Sequence, residues 1–212
     1  MINHKHKFIF IHIPKTGGHS VDKFFWGRSM VDDTKWHCTS NQIRKFVGDE
    51  TWDSYFTFTI VRNPWDRMVS EYSWQKGSAD TQIATPWGND QVSFKDFLKM
   101  VQLSPRNHHD MNQIRAFDTW YRMQEIKDGH LNTQLSFIIN DDGEKIIDHI
   151  IKFEALNVEF AKTLKKIGLK EESLPHLNKS DRVSYDQYYD QECIDIVAER
   201  FKDDIDYFKY DF

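Results

Sequence analysis

Cysteine is nearly missing from this sequence. The 212 residues hold two, Cys38 and Cys193, far apart and in no CxxC pattern. That excludes a disulfide framework, leaves room for one buried bridge at most, and makes a reducing compartment the simplest setting. Nine Gly and five Pro are too few for a collagen-like or low-complexity chain. The apolar run Phe8 to Ile11 near the start is too short for a signal-peptide core or a membrane span. A basic excess is lacking too: 28 Lys and Arg face 33 Asp and Glu, for a net charge of −5. General attraction to nucleic acid is thereby excluded, while a local positive pocket for a small anion stays open. Ten histidines are present. They form no HExxH and no His–carboxylate pairing at ligand spacing, and His4-x-His6 falls in a terminal segment read as mobile, so no metal is expected.

What is abundant is aromatic. Sixteen Phe, eight Tyr and seven Trp exclude disorder. The mean hydropathy of −0.68 is that of a soluble globule. A chain of this length makes one domain, residues 1–212, and buries about 70% of its unfolded surface without staples. Expected partners include neither nucleic acid nor membrane.

Residues 7–13 (KFIFIHI) read as a buried strand that runs into the breaker cluster Pro14-Lys15-Thr16-Gly17-Gly18. Ser20 then opens a helix with Val21, Phe24 and Phe25 on one face. Thr39 and Gln42 have capping-box spacing for a second helix that stops near Gly48. Residues 55–61 alternate as a strand, after which Asn63 suits an N-cap and Pro64 a first helical position. Ser93 caps a helix carrying Phe94, Phe97, Leu98 and Val101. In the polar stretch 104–130, Ile114, Phe117 and Tyr121 fit a helical face. Asp141-Asp142-Gly143 is a turn, 146–153 a late strand, 157–167 a helix closed by Gly168, and about 190–201 a terminal helix. This alternation predicts an α/β fold: a P-loop-like three-layer sandwich with a central parallel sheet flanked by helices.

Two constellations carry chemistry. In the strand–glycine turn–helix, consecutive backbone N–H groups and the helix N-terminus form an anion cradle, Lys15 adds a positive charge, and Thr16 and Ser20 add hydroxyl donors. It is not the GxxxxGK[ST] motif, because Lys15 precedes the glycines, and an ATP-dependent kinase is disfavoured on that ground. The second is Arg62-Asn63-Pro64-Trp65-Asp66-Arg67-Met68-Val69-Ser70. Arg62 ends a strand, at the edge where open α/β sheets bind ligands, and with Ser70 could hold a second phosphate. Surface pairing of Arg62 and Arg67 with Asp66 or Glu71 is the competing reading.

The run His12-Ile13-Pro14-Lys15-Thr16-Gly17-Gly18-His19-Ser20, followed by the Arg62–Ser70 segment, closely resembles the carbohydrate sulfotransferase superfamily. Trp36-His37-Cys38-Thr39, His130-x-x-x-Gln134, Phe153-Glu154-x-Leu156, Leu174 to Ser180 and Tyr207 to Phe212 extend the resemblance along most of the chain. The resemblance implies a sulfotransferase that uses PAPS (3′-phosphoadenosine-5′-phosphosulfate) as donor, with no metal, and a hydroxyl-bearing acceptor, a carbohydrate. It implies that Pro14, Lys15, Thr16, Gly17, Gly18, His19 and Ser20 hold the 5′-phosphosulfate and that Lys15 neutralises charge on the leaving group. Arg62 and Ser70 are implied to bind the 3′-phosphate, Lys179 and Ser180 to close over the nucleotide, and His37 to act as general base. His19 departs from the family's usual Thr. A PAP-binding protein without transferase activity is therefore the alternative, and intact Lys15, His37, Arg62 and Ser70 favour the enzyme. With no anchor in view, a cytoplasmic enzyme is expected, its acceptor read by residues 76–130.

Overall fold

The computed structural model describes residues 1–27, 37–77, 92–104, 129–172, 174 and 183–212. These divide into two compact units, Met1–Arg62 with Gln134–Lys179, and Asn63–Thr133 with Ser180–Phe212.

The first unit is built on a sheet of four strands in sequence order: β1 (Ile2–Asn3), β2 (Phe8–Ile11), β3 (Phe56–Val61) and β4 (His149–Lys152). β2, β3 and β4 run parallel, with Ile11 beside Thr59 and Val61 beside Lys152. The predicted α/β architecture is present, with one departure from an all-parallel sheet. The first residues fold back as antiparallel β1, Ile2 beside Ile9. The terminus is thus tied into the sheet, and His4 Nδ1 lies 2.7 Å from the Tyr55 hydroxyl. Two residues are too short to show a period, so the sequence pattern missed the strand.

Parallel strands need long crossovers, and helices provide them. Between β2 and β3 come α1 (Gly18–Trp26), α2 (Ser40–Val47) and α3 (Asp49–Ser54). The predicted capping box is formed: the Gln42 N–H donates to Thr39 Oγ1 at 3.2 Å, and the Thr39 N–H donates to Gln42 Oε1 at 2.8 Å. α3 was not anticipated, because Gly48 ends one helix and begins the next. After β4, α6 (Leu156–Lys166) closes as expected at Gly168, whose φ is +74°. Phe8, Phe10, Phe58, Ile60 and Ile151 from the sheet pack with Val21, Phe160 and Leu164 from α1 and α6. Each such fully buried side chain contributes about 1.5–3 kcal/mol of transfer free energy. Ile9 and Ile11, on alternate positions of β2, are equally buried, so both faces of that strand are covered.

The second unit holds α4 (Pro64–Gly77), α5 (Phe94–Leu103), α7 (Gln191–Arg200) and α8 (Lys202–Phe208). Asn63 caps α4 by accepting the Trp65 N–H at 2.9 Å, and Ser93 caps α5 by accepting the Asp96 N–H at 3.1 Å, both as predicted. The terminal helix expected over about 190–201 is α7, and α8 follows it after Phe201 as an element the sequence pattern did not show. Met68, Val69, Phe97, Leu98, Val101, Val197 and Phe201 form the core.

Arg67 corrects the surface ion-pair reading, since it is fully buried. Its guanidinium donates to the backbone carbonyls of Asn132 (3.0 Å) and His130 (2.8 Å). Arg200, also buried, donates to the carbonyl between them, Leu131, at 3.1 Å. Two buried arginine forks thus satisfy three consecutive carbonyls. Buried carbonyls require partners, and the planar fork supplies several donors at once.

Candidate active site

The C-terminal ends of parallel strands collect loops that approach ligands, and three of them meet in the first unit. β2 leads into residues 12–20, β3 leads into Arg62, and β4 leads into Phe153. Lys15 and Gly17 both take left-handed backbone conformations, with φ of +66° and +90°. Glycine adopts that region freely, whereas lysine does so at a cost, and such strained positions cluster at functional sites. The paired reversals turn the chain sharply from β2 into α1. Gly18 and His19 open α1, and the first amides of a helix have no acceptor within the helix itself. The Ser20 N–H donates to the Gly17 carbonyl at 3.0 Å.

Gly18 is required by packing. A Cβ placed there would lie 1.9 Å from Nε2 of His12. The His12 imidazole is buried and packs directly on the cradle backbone. It also meets His37, whose ring centroid is 4.9 Å away at 72°, and His19, 5.9 Å away and edge-on. The implied base and the cradle are therefore joined through His12, which the motif contained but sequence reasoning left without a role. Replacing Gly18 by Ala forces the imidazole aside; an overpacked site of this kind costs about 1–3 kcal/mol. Combining Gly18→Ala with His12→Ala should recover much of that loss in a denaturant titration. Additive losses would show that the two residues do not oppose one another.

Arg62 completes the site. Its Nη1 donates to the Lys15 carbonyl at 3.1 Å, and its guanidinium lies 4.2 Å over the Phe153 ring. Phe153 also sits 3.1 Å from where a Gly17 Cβ would be. The Arg62 backbone N–H and carbonyl are both bonded to the side-chain amide of Gln134, each at 2.8 Å. His130 and Gln134, which the sequence placed one helical turn apart, have different duties: His130 pairs with Glu71 at 2.8 Å inside the second unit.

The predicted residues are thus partly gathered. Pro14, Lys15, Thr16, Gly17, Gly18, His19, Ser20, His37 and Arg62 belong to the first unit, with His19 exposed and Lys15 half-buried. Thr16 needs one correction. Its buried hydroxyl donates to the Ile13 carbonyl at 2.8 Å, so its proton is engaged by the turn itself rather than offered to an anion. Ser70 is half-buried on α4, in the second unit. Lys179 and Ser180 lie outside the described residues, as do Trp36, Trp87, His108, His109, Ile114, Phe117 and Tyr121 and most of 76–130. Among the described residues no group of three or more His, Cys, Asp or Glu is arranged to hold a metal ion, and no helix is long and apolar enough to cross a membrane. Cys193 is a buried free thiol, so the two cysteines form no disulfide. Burial pushes its pKa up to about 11, which removes it as a thiolate nucleophile at neutral pH.

Over residues 1–211 the chain matches the family described as the sulfotransferase family. It belongs to that family. This sulfotransferase is also similar to an uncharacterized protein of Archaeoglobus fulgidus, 27% identical over 143 residues, which span 68% of this chain and 92% of the relative. No solved structure matches it significantly. Membership makes the chain a transferase of sulfuryl groups.

Proposed function

We propose that this sulfotransferase uses PAPS as donor and an acceptor hydroxyl, of a carbohydrate, as recipient. The observation that carries the reading is the bond from Arg62 to the Lys15 carbonyl. It joins an anion cradle and a second cationic group in one site, as a nucleotide with phosphate at both its 5′ and 3′ positions requires. The cradle fits such a donor: Gly18 has no room for a Cβ and opens a helix, where backbone amides favour an anion. PAPS supplies an activated sulfuryl group. Backbone amides from Thr16 to His19 bind its 5′ end, the Ser20 amide being given to the Gly17 carbonyl, and Lys15 neutralises the negative charge that builds there as the group departs. The Arg62 fork binds the 3′-phosphate, a role the resemblance extends to Ser70. His37 accepts the proton of the attacking hydroxyl, with His12 holding its ring against the cradle. Lysine and the helix N-terminus supply the positive charge, and the scheme calls for no metal ion. The carbohydrate assignment is supported by the likeness of residues 12–20 and 61–70 to that branch.

Thermal unfolding with PAP (adenosine 3′,5′-bisphosphate) beside 5′-AMP tests this reading, because the two differ only in the 3′-phosphate. At 100 times its Kd, PAP should add about 2.7 kcal/mol of stability, and the same concentration of AMP much less. Equal shifts would remove the 3′-phosphate site; no shift with either would remove the nucleotide altogether.

A further inference from the structure

β3 ends at Val61, whose partner across the ladder is Lys152. Arg62 therefore lies one residue past the sheet, where its N–H and carbonyl would lose the ladder. Gln134 replaces it. Its Oε1 accepts the Arg62 N–H and its Nε2 donates to the Arg62 carbonyl, both at 2.8 Å, across 72 residues of chain. The side chain is fully buried, so neither bond is shared with bulk water. A single amide thereby acts as one more residue of strand, fixing both dihedrals that aim the Arg62 side chain. From there the guanidinium reaches the carbonyl of Lys15, the residue held at φ +66°. Phe153 lies beneath that guanidinium and beside Gly17, forming a common floor.

We infer that Gln134 is a positioning residue for nucleotide recognition: it sets the direction of the Arg62 fork and so the discrimination between nucleotides with and without a 3′-phosphate. The inference rests on the reading proposed above. Gln134 touches no ligand in this scheme. It acts only through the Arg62 backbone, and through Arg62 it supports the strained Lys15. Gln differs here from any apolar residue of similar length because both of its amide groups are used, one as acceptor and one as donor.

The test is calorimetric titration of PAP and of 5′-AMP into wild type, Gln134→Met and Gln134→Glu. Met keeps length and volume and removes both bonds. Glu keeps an acceptor for the Arg62 N–H and places a carboxylate oxygen against the Arg62 carbonyl. Gln134→Met should weaken PAP at least about tenfold, with AMP changed less than about threefold, which shrinks the preference itself. Gln134→Glu should fall between Met and wild type. A purely structural role would lower the melting temperature and leave the PAP-to-AMP ratio untouched, and that result overturns the inference. If Gln134→Met does not fold, the ratio for Gln134→Glu decides: at the wild-type value the inference fails. A wild type that itself shows no preference for PAP defeats the proposed function, and this inference falls with it.

Discussion

Replacing Lys15 by Ala should lower turnover by about 10²–10³-fold, the loss measured when one preorganised stabiliser of developing charge is removed. The argument is geometric before it is electrostatic. Lys15 sits in the bend between β2 and α1 in a left-handed conformation, and its carbonyl is tied to Arg62 at 3.1 Å. Alanine has the same backbone preferences as other non-glycine residues, so the bend and the Arg62 bond persist and only the ammonium is lost. PAP affinity should therefore change far less than kcat, because on the proposed function the amides of the cradle and the Arg62 fork still bind its two phosphates. Steady-state kinetics with a model glycan acceptor, together with PAP titration, separate the two effects. Turnover within a few-fold of wild type would show that Lys15 does not meet the developing charge. An equal fall in binding and turnover would instead make it a ground-state contact. On the proposed function His37→Ala provides the contrast: loss of the imidazole base should abolish the rise of turnover with pH that Lys15→Ala retains.

Arg67→Ala should be the most destabilising single change. Two buried carbonyls, of His130 and Asn132, lose their donors, and each orphaned buried group costs about 1–3 kcal/mol. Removal of a fully buried side chain adds a cavity beside Phe201, whose ring the guanidinium faces at 5.8 Å. Set against a total stability of about 5–15 kcal/mol, this is enough to depopulate the fold at moderate temperature. Arg67→Lys should recover less than half of the loss, because an ammonium is a point charge and cannot match a fork that serves two carbonyls. Arg44→Ala is the control: Arg44 pairs with Asp49 and Asp53 at the surface, and its loss should leave the transition nearly in place. Urea denaturation of the three variants reads all of this directly. A midpoint for Arg67→Ala close to that of Arg44→Ala would refute the account.

The two arginines also show why site and scaffold had different legibility. Arg62 and Arg67 are five residues apart in one motif, and the sequence offered the same competing reading, a surface ion pair, for both. One binds the cradle backbone and the other is buried under a distant loop. That difference comes from where residues 130–134 return, and no local period encodes it.

The sequence by itself determined the elements whose physics is local. Glycine at a left-handed turn after an apolar strand, a capping box at Thr39 and Gln42, and Asn63-Pro64 at a helix start all depend on neighbours within four residues. Each is found where it was expected. The turn over residues 14–20, and the strand that ends just before Arg62, were legible for the same reason. Where local signals conflict or are too short, the pattern failed: β1 is two residues long, Gly48 hides the start of α3, and no Gly or Pro after Phe201 announces α8 as a separate helix. Only the tertiary structure decided what lies between these pieces. It set His12 against Gly18 and His37, engaged the Thr16 hydroxyl with its own turn, placed Phe153 under both Gly17 and Arg62, and brought Gln134 to the end of β3. The last two join residues 72 or more positions apart. Burial makes them strong, because an unmet polar group or an extra methyl is costly in a dry, close-packed interior. Nothing in composition or periodicity records which distant partner will arrive.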